Sequence, residues 1–300
     1  MNFRQLACFV AVVDEGSFTR AARVIGIAQP SLSQHIRALE EELNGRLLER
    51  LPRGVALTPA GRALLPEART AVRALERGRR GARSVLALEA GELEIATVLS
   101  MAVGLLPQYI RVWHVRYPNV GIRLHEFRHR SLLEDAVEQG LADFAIGPLP
   151  VRVWEGPLAE IAWEEFVIVV PATDPLAGRG SIRLEELADR EWVLYHQDHG
   201  LAGILEEMCR RAGFTPRGSV RTSQAEGAAR LASAGLGPAL VPDNIVLPGI
   251  EGSVLRLKPR LIRDVAAYAR TEWSPTAAMF IEMVASVKRP RPRGAFAIRL

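Results

Sequence analysis

The feature that most constrains the fold is a series of short helical segments near the N-terminus, each bounded by a residue that starts or ends a helix. Ser17 is a plausible N-cap for the second segment, and Gly26 supplies the flexible residue that ends it. After a tight turn, Pro30 opens a third segment that runs to about Glu42, with leucine and isoleucine at helical spacing. A helix, a short glycine-containing turn and another helix are the layout of a helix-turn-helix.

A hairpin and a long helix are predicted after these segments. The basic stretch Arg50–Gly54 contains Pro and Gly and precedes Val55–Leu57, which is typical of a small hairpin, or wing. Thr58 and Pro59 then supply an N-cap and a first-turn proline for a helix that reaches about Leu88. Apolar and small residues recur along it at alternating spacings of four and three, as in a coiled-coil seam. The seam residues are Leu64, Ala68, Ala71, Leu75, Gly78, Ala82 and Val85. We expect a dimerising linker helix, and a single helix packed on its own domain remains the alternative.

The chain beyond Gly91 alternates short strands with amphipathic helices. Helices are predicted at 101–116, 131–140, 201–213 and 224–235. Strands are predicted at Leu93–Thr97, Val120–Glu126, Phe144–Gly147, Phe166–Val170, Trp192–Tyr195, Ser219–Thr222 and Ala239–Val241. This alternation predicts α/β units with largely parallel sheets, in one large domain or in two lobes.

Charge is unevenly distributed along the chain, although the net charge is only +4. Residues 1–90 carry 14 arginines against 9 acidic residues, residues 91–287 carry 19 basic against 25 acidic residues, and residues 288–300 carry 5 basic residues and no acid. A basic N-terminal segment beside an acidic body indicates that one end meets a polyanion. We expect the basic tail to be disordered, where it either solubilises the chain or adds nonspecific DNA affinity.

The sequence contains no signal for a membrane or for export. No stretch approaches the roughly 18 uninterrupted apolar residues of a membrane helix, and the N-terminal segment has no small-residue cleavage site. Cys8 and Cys209 are too few for a disulfide framework and lack metal-ligand spacing, which fits a reducing compartment. We therefore expect a cytoplasmic protein without a metal or another cofactor.

Longer segments of the sequence resemble a known family. The run "GSFTRAARVIGIAQPSLSQHIRALEEELNGRLLER", followed by "RGVALTPAG", resembles the winged helix-turn-helix of LysR-type transcriptional regulators. The resemblance continues at "LLPQYIRVWHVRYPNVGIRLHE", "EQGLADFAI", "FVIVVPATDPLA" and "LASAGLGPALVP", so that nearly the whole chain is covered. It implies an α+α/β fold class: a winged helix-turn-helix, a long linker helix and a two-lobed α/β effector domain that resembles type 2 periplasmic binding proteins.

The resemblance also implies a division of the chain. We expect a DNA-binding domain at 1–58, a linker and dimerisation helix at 59–90 and an effector-binding domain at 91–300. By the same analogy, lobe I comprises about 91–160 plus 265–288, lobe II about 161–264, and the basic tail 288–300.

The DNA-binding residues follow from the resemblance, which places the helix-turn-helix at 18–37 and the helix from Gln29 onward in the major groove. Glutamine amides can pair with an adenine edge, an arginine with guanine or the backbone, and a serine with a base or a phosphate. Residues at the helix N-terminus point at the groove floor, and Thr19, Arg20 and Arg53 suit phosphates. The predicted DNA-binding residues are Phe18, Thr19, Arg20, Gln29, Pro30, Ser31, Ser33, Gln34, Arg37 and Arg53.

Other residues of this helix have different expected roles. Leu32, Ile36 and Leu39 are expected in the core. Ala28 stands where the family commonly has Ser or Thr as the N-cap, and the loss of a cap hydroxyl costs about 0.5–2 kcal/mol. We expect the start of the helix to fray slightly or to be capped by another group.

The effector domain is expected to hold a small molecule between its lobes. Ligands of open α/β sheets bind beyond the carboxyl ends of strands, often at helix N-termini. An arginine, hydroxyls and amides follow several predicted strands, which suits a polar or anionic metabolite. The predicted effector-binding residues are Ser100, Met101, Arg128, His129, Gly147, Pro148, Tyr195, His196, Gln197, Thr222 and Ser223. The nearby His196, Asp198 and His199 are interpreted as a solvated loop rather than a metal site.

Two sequence features point to other chemistry. The residues His125–His129 spell the HExxH of zinc metalloproteases, but their context predicts a strand, in which the two histidines lie about 13 Å apart. Cys209 could act as a thiol switch, but its only possible partner is Cys8, in the DNA-binding part. An α/β enzyme or a solute-binding protein with an appended interaction module remains the alternative class, and a regulator that senses no ligand stays open.

We therefore predict a sequence-specific transcription regulator that is not an enzyme. Its partners would be a double-stranded DNA operator, a small polar or anionic effector and RNA polymerase. It would act as a homodimer or homotetramer, because the two-fold symmetry of a dimer matches two half-sites of an operator.

Overall fold

The computed structural model describes residues 1–51, 54–87, 92–246, 250–287 and 290–298. The chain divides into two compact units, Met1–Gly91 with Glu138–Leu141, and Glu92–Val137 with Ala142–Leu300. The helices are α1 Phe3–Glu15, α2 Phe18–Ile25, α3 Gln29–Glu42, α4 Pro59–Ala87, α5 Leu99–Gly104, α6 Leu106–Arg116, α7 Arg130–Glu138, α8 Gly200–Arg211, α9 Ala225–Ser233 and α10 Pro275–Ser286. The strands are β1 Leu48–Leu51, β2 Gly54–Leu57, β3 Glu92–Val98, β4 Gly121–Phe127, β5 Phe144–Pro148, β6 Leu158–Pro171, β7 Ser181–Ile182, β8 Glu191–Tyr195, β9 Arg217–Thr222, β10 Ala239–Pro242, β11 Gly252–Tyr268 and β12 Phe296–Ala297.

The first unit contains the predicted winged helix-turn-helix. Ser17 Oγ accepts a hydrogen bond from the Arg20 amide at 3.4 Å and starts α2, and Gly26 ends α2 in the left-handed region at φ 74°. The strands β1 and β2 pair antiparallel as the wing. The three helices pack around a core that includes Phe9 and Leu32. The cap residues in the sequence therefore indicated the correct ends of α2.

The long helix α4 begins as predicted, because Thr58 Oγ1 accepts a hydrogen bond from the Gly61 amide at 3.0 Å. Leu65 and Ala68 are buried in the core of the first unit, whereas Leu75, on the predicted seam, is 43% exposed. The first turns of α4 thus pack on their own unit. Dimerisation through the seam stays a prediction.

The second unit contains a mixed sheet, so the prediction of largely parallel sheets holds for only part of it. The strand order is β10-β6-β11-β5-β3-β4, with β7 and β12 beside β11. Parallel pairing joins β3 to β4 and β5, and β8 to β9, but β11 runs antiparallel to β5 and β6, and β10 runs antiparallel to β6. The strand β11 and the first half of β6 were missed because charged residues such as Glu164 and Arg263 interrupt their apolar pattern.

The strands β6 and β11 connect two lobes with separate cores, as the predicted two-lobed architecture requires. The core of lobe I gathers side chains between Leu93 and Ala162 and between Val265 and Val284. The core of lobe II gathers side chains between Phe166 and Leu261, together with Ile298. Between the two cores, both strands carry buried charged residues, Glu164, Glu165, Arg263 and Asp264. The crossing from one lobe to the other is therefore polar.

The remaining predicted elements differ from the structure in smaller ways. The helix predicted at 101–116 is two helices, α5 and α6, because Pro107 in the first turn of α6 cannot continue a helix from the preceding turn. The helix α10 was not predicted. Apart from β6, the other predicted strands and helices agree to within two residues at each end. Within the described ranges, none of the helices combines the length and apolar character needed to cross a bilayer.

The expectation of a disordered tail was wrong for residues 290–298. Phe296 and Ala297 pair in parallel with β11, and Ile298 is 4% exposed in the core of lobe II. Arg291 lies 2.9 Å from a carboxylate oxygen of Glu160 and 2.6 Å from one of Asp264. The apolar Phe296–Ile298 segment explains the order, which the basic composition concealed. Residues 288, 289, 299 and 300 lie outside the described residues.

This packing predicts that the tail stabilises lobe II. We expect Ile298→Ala to lower the free energy of unfolding by about 2 kcal/mol, because it leaves a cavity in the core. Urea unfolding of the full chain, followed by tryptophan fluorescence, measures this effect, since all five tryptophans lie in the second unit. The exposed Arg293→Ala is the control and should change the free energy by no more than about 0.5 kcal/mol. Equal values for the two variants would contradict a packed tail.

Candidate functional site

The recognition helix α3 has one buried face and one exposed face. Leu32, Ile36 and Leu39 are at most 3% exposed in the core of the first unit. Three of the predicted DNA-binding side chains on α3, Gln29, Gln34 and Arg37, are exposed, as is Pro30 at its start. The exposed face of α3 thus presents two amides and a guanidinium, groups that can pair with base edges.

Ser33 lies differently from the other predicted residues of α3. It is 9% exposed, and its hydroxyl accepts a hydrogen bond from Gln29 Nε2 at 3.0 Å. This contact orients the Gln29 amide instead of leaving the serine hydroxyl at the surface. Ala28 provides no side-chain cap for α3, because its methyl group has no hydrogen-bond acceptor. The first amides of the helix therefore have no side-chain acceptor at the N-cap.

The remaining predicted DNA-binding residues have different surroundings. Thr19 is exposed, whereas Phe18 and Ser31 are half-buried. Arg20 donates from Nε to the Glu15 carbonyl at 3.1 Å and lies 3.6 Å from a carboxylate oxygen of Glu15, so its guanidinium is held against the end of α1. Arg53 lies outside the described residues.

A cavity of about 80 Å³ lies between the lobes of the second unit. Four of the eleven predicted effector-binding residues line it: Ser100, Arg128, His129 and Pro148. It is also lined by Arg130, His199, Gly200 and Arg263, which sequence analysis did not select. Arg130 directly follows the predicted residue His129, and Gly200 directly precedes the helix predicted at 201–213. Both residues open helices, which was a usable signal. Arg263 lies in the strand that was missed.

The other predicted effector-binding residues do not line this cavity. Met101 is buried in the core of lobe I, and Gly147 packs so closely on Leu133 that a Cβ would clash. The Tyr195 hydroxyl is buried and donates to the Leu240 carbonyl at 2.8 Å. Exposed or half-buried positions are occupied by His196, Gln197, Thr222 and Ser223.

Two contacts hold the lobes together beside the cavity. The Gly200 amide, at the start of α8 in lobe II, donates to the Arg128 carbonyl in lobe I at 3.0 Å. The Arg128 Nη1 atom lies 3.2 Å from a carboxylate oxygen of Asp198. The end of β4 and the start of α8 therefore meet directly beside the cavity.

Each arginine of the cavity is paired with a carboxylate that does not line it. Arg130 Nε lies 3.3 Å from Glu134 Oε1, and Arg263 Nε donates to Glu164 Oε1 at 2.6 Å. Burial lowers the pKa of Arg130, while Glu134 opposes this shift. None of the described residues that line the cavity is acidic. The cavity therefore presents hydrogen-bond donors without a competing carboxylate.

His199 is the most completely enclosed polar side chain of this cavity. It is 4% exposed and stacks on Tyr195 with ring centroids 4.9 Å apart. Its Nδ1 atom accepts a hydrogen bond from the Leu201 amide at 3.1 Å and caps α8, so the proton of the neutral ring lies on Nε2. Among the described residues, this buried Nε2 has no hydrogen-bond partner. The interpretation of the His196–His199 segment as a solvated loop was wrong for His199.

Burial and nearby positive charge keep His199 neutral. Desolvation is the main cause that lowers its pKa to about 4, followed by Arg263; Asp198 opposes the shift, and His129 and Arg128 add to it. Because the unfolded chain takes up a proton near the ordinary pKa of 6.5, the neutral ring contributes stability above pH 6.5 that is lost as the pH falls towards 4.

This shift predicts a pH dependence of stability. Between pH 7 and pH 4.5, we expect the unfolding free energy of the wild type to fall by about 2–3 kcal/mol more than that of His199→Asn, which keeps a cap acceptor but has no ring to protonate. Urea unfolding at a series of pH values measures the difference. The exposed His114→Asn is the matched control and should follow the wild type. If His199→Asn also followed the wild type, a neutral His199 would be ruled out.

The metalloprotease-like motif is located on β4, as its strand prediction requires. His125 lies within β4, where its Nε2 is 3.5 Å from Glu94 Oε2, and His129 follows the end of the strand. In the described part of the chain, no three His, Cys, Asp or Glu side chains are grouped to hold a metal ion. HExxH chemistry requires a helix, and β4 does not provide one.

The two cysteines are buried in different units. Cys209 is fully buried in the core of lobe II, and desolvation raises its pKa to about 12. Burial also raises the pKa of Cys8. Neither thiol is therefore in an environment that favours the reactive thiolate.

A helix-turn-helix with an exposed polar recognition face and a separate two-lobed domain around a donor-rich cavity are the parts of a ligand-sensing DNA-binding protein. Two family models match the chain: the bacterial regulatory helix-turn-helix protein of the lysR family at residues 3–62, and the LysR substrate binding domain at residues 87–289. The chain belongs to the LysR family of bacterial transcriptional regulators, which confirms the resemblance and the fold class stated above.

Relatives and solved structures agree with this family. The HTH-type transcriptional regulator BudR of Raoultella terrigena is 34% identical over 294 residues, which cover 94% of this chain and 100% of BudR. A probable hydrogen peroxide-inducible genes activator of Streptomyces viridosporus is 34% identical over 82% of this chain and 78% of its own length. Full-length OxyR of Pseudomonas aeruginosa has a TM-score of 0.76 at 26% identity, with 95% of this chain and 94% of that chain covered.

Proposed function

We propose that this protein is a ligand-responsive transcription regulator that binds a double-stranded DNA operator through α3. A small polar or anionic molecule between its lobes would change the DNA binding or bending. The observation that carries the DNA-binding half is the exposure of Gln29, Gln34 and Arg37 opposite the buried face of α3. Such a face fits the major groove, which presents a distinct pattern of donors and acceptors for each base pair.

The residues of the first unit have distinct proposed roles. Gln34 and Arg37 read bases directly, and Gln29 reads a base while Ser33 holds its amide. Pro30 and Ser31 set the approach of the helix to the groove floor, and Phe18, Thr19, Arg20 and Arg53 contribute to backbone contacts, which position without specifying sequence. Arg20 must leave the Glu15 carbonyl to reach a phosphate.

The proposed assembly is a homodimer or homotetramer joined through α4. The predicted domains are the DNA-binding part at 1–58, the helix at 59–90 and the effector part at 91–300. Leu75 is 43% exposed in the single chain and lies on the predicted seam, so a second copy would remove an apolar side chain from water. The two DNA-binding domains of the dimer would then match a two-fold symmetric operator, and contact with RNA polymerase would be a further step.

The proposed effector site is the cavity between the lobes. A ligand there contacts both lobes, and it shifts the protein between two states only by binding one of them more tightly. The contact of Gly200 with the Arg128 carbonyl makes such coupling direct, because the same segments line the cavity and join the lobes. A polar or anionic ligand suits the donors of Ser100, His129 and Arg263.

We infer that the protein is not an enzyme and that it acts in the cytoplasm, where an operator is accessible. The described residues that line the cavity include no carboxylate, and the described part of the chain has no group of three His, Cys, Asp or Glu side chains that could hold a metal ion, so a metal-assisted reaction has no support there. A peroxide-sensing role, as the name of one relative suggests for that relative, lacks support as well, because Cys209 is buried with a raised pKa.

The DNA-binding half predicts a loss of sequence discrimination in Gln34→Ala. A footprint on the upstream region of the gene first locates the operator, and gel-shift titrations then compare operator with unrelated DNA at several salt concentrations. We expect discrimination to fall by about 1–3 kcal/mol while the salt slope is unchanged, since base contacts specify and phosphate contacts set the salt dependence.

The exposed Gln108→Ala on α6 is the matched control and should retain full discrimination. Equal losses of operator and nonspecific affinity in Gln34→Ala would contradict base reading by this residue. Operator binding that does not weaken as salt rises would contradict the DNA-binding proposal itself.

The effector half predicts stabilisation by small anions. Because a ligand that binds only the folded state adds stability with concentration, the melting temperature should rise as the anion is titrated, and the operator footprint should shift at the same concentrations. We expect Ser100→Ala to weaken this binding about threefold to tenfold through the loss of one hydrogen bond. A metabolite panel that changes neither melting nor footprint would favour a regulator that senses no ligand.

A further inference from the structure

We propose that Glu40 positions the wing against the recognition helix, so that the wing contacts phosphates while α3 reads bases. The inference rests on the DNA-binding half of the proposed function and assigns a role to a residue outside the predicted DNA-binding set. Three observations carry it: the hydrogen bonds of the Glu40 carboxylate, the burial of the segment that donates them, and the separate contacts that tie the wing to α4.

Glu40 lies in the last turn of α3 and connects this helix with the base of the wing. Its Oε1 atom accepts hydrogen bonds from the Leu47 amide at 2.8 Å and from the Leu48 amide at 3.2 Å. Leu48 is the first residue of β1. An ionised carboxylate is a stronger acceptor than a neutral oxygen. One side chain of the recognition helix therefore holds the chain at the point where the wing begins.

The segment that donates these hydrogen bonds is anchored in the core. Leu47 is 1% exposed and Leu48 is 5% exposed, and both side chains belong to the core of the first unit. Amides in such a segment have little freedom to find another partner, and an amide left without one costs free energy. We therefore expect the base of the wing to shift when the Glu40 acceptor is removed.

The wing is tied to the start of α4 by contacts of its own. The Thr58 amide donates to the Leu47 carbonyl at 3.0 Å. Arg62 Nη1 donates to the carbonyl of Leu57, the last residue of β2, at 2.8 Å. Neither contact involves α3. The carboxylate of Glu40 therefore adds a hydrogen-bonded connection to the recognition helix that these contacts do not provide.

The position of the wing affects how many phosphates the protein contacts. The recognition helix and the wing must fit the same duplex, so their relative orientation decides whether both bind at once. The wing hairpin includes Arg53, for which the sequence predicts a phosphate contact. A displaced wing loses such a contact, whereas the exposed side chains of α3 still meet base edges. Glu40 is thus a positioning residue that acts on affinity and salt dependence through the wing.

The test compares variants of the full-length protein on the operator located by footprinting and on unrelated DNA. Glu40→Ala removes the acceptor, and Glu40→Gln keeps an oxygen in its place without the charge. Glu41→Ala is the matched control, because it removes a charge from the adjacent, exposed position of α3. Gel-shift titrations at several salt concentrations measure the affinity of each variant and its salt slope.

We expect the salt slope of Glu40→Ala to be smaller than that of the wild type by about one, as the loss of one phosphate contact implies. Its ratio of operator to nonspecific affinity should stay within about twofold of the wild type, because a lost phosphate contact weakens binding to all sequences alike. Glu40→Gln should keep the wild-type slope, since its amide oxygen accepts from the same two amides. Glu41→Ala should keep it as well.

A double-mutant cycle with Arg53→Ala connects the effect to the wing. In the wild-type background, Arg53→Ala should lower the salt slope by about one. In the Glu40→Ala background, the same substitution should leave the slope nearly unchanged, because the contact is already lost. Additive losses would show that Glu40 acts apart from the wing, which overturns the inference.

The other outcomes separate this inference from the proposed function. If Glu40→Ala keeps the wild-type slope, or if it loses operator discrimination, the positioning role is wrong and DNA binding through α3 stands. A slope as low in Glu40→Gln as in Glu40→Ala would show an effect of charge and also overturn the inference. If the wild type itself does not bind DNA in a salt-dependent way, the inference and the DNA-binding half fail together.

Circular dichroism establishes that each variant is folded. If Glu40→Ala is not, Glu40→Asp takes its place in both experiments with the same expected results. Aspartate keeps the charge, but its shorter side chain draws the acceptor back from the Leu47 and Leu48 amides.

Discussion

The buried ion pair between Arg263 and Glu164 is the interaction on which the second unit depends. The two residues are directly opposite each other on β11 and β6, the strands that cross from one lobe to the other. Glu164 also accepts from Asn244 Nδ2 at 3.2 Å, so its carboxylate is satisfied in the protein interior. Removal of one partner of such a pair costs about 3–5 kcal/mol, because the other charge remains buried. The pair therefore joins the two strands at the point where neither apolar core extends.

The same pair orients one of the arginines that line the proposed effector site. Because Glu164 holds Arg263 by two of its nitrogens, the guanidinium keeps a fixed orientation. The donors on the other walls are fixed by their own elements, since His199 caps α8 and Arg130 is held by Glu134 in α7. Donors held in advance lose little entropy when a ligand arrives, which is the physical basis of preorganised recognition.

The sequence was most informative where local rules decide the structure. A helix cap depends on neighbours within one or two turns, and the structure has the predicted caps at Ser17 and Thr58. The same holds for the helical spacing that buries Leu32, Ile36 and Leu39. Contacts between distant residues were not predictable in this way. Arg263 was missed because its strand contains the charges that pair with β6. The solvated-loop interpretation failed for His199 because the polar composition of its segment does not show that this ring turns inward and stacks on Tyr195.

The charge counts of the sequence illustrate the same limit. Residues 91–287 carry 25 acidic against 19 basic residues, yet the cavity within this region has arginines and histidines on its walls and no described acidic residue. The reason is that Glu134, Glu164 and Asp198 hold the arginines without lining the cavity, so a count along the chain cancels charges that the fold separates. The sign of a binding site therefore depends on which member of each ion pair faces the cavity. For this protein that member is the donor at each of the three pairs, which supports the proposed polar or anionic effector despite the acidic composition.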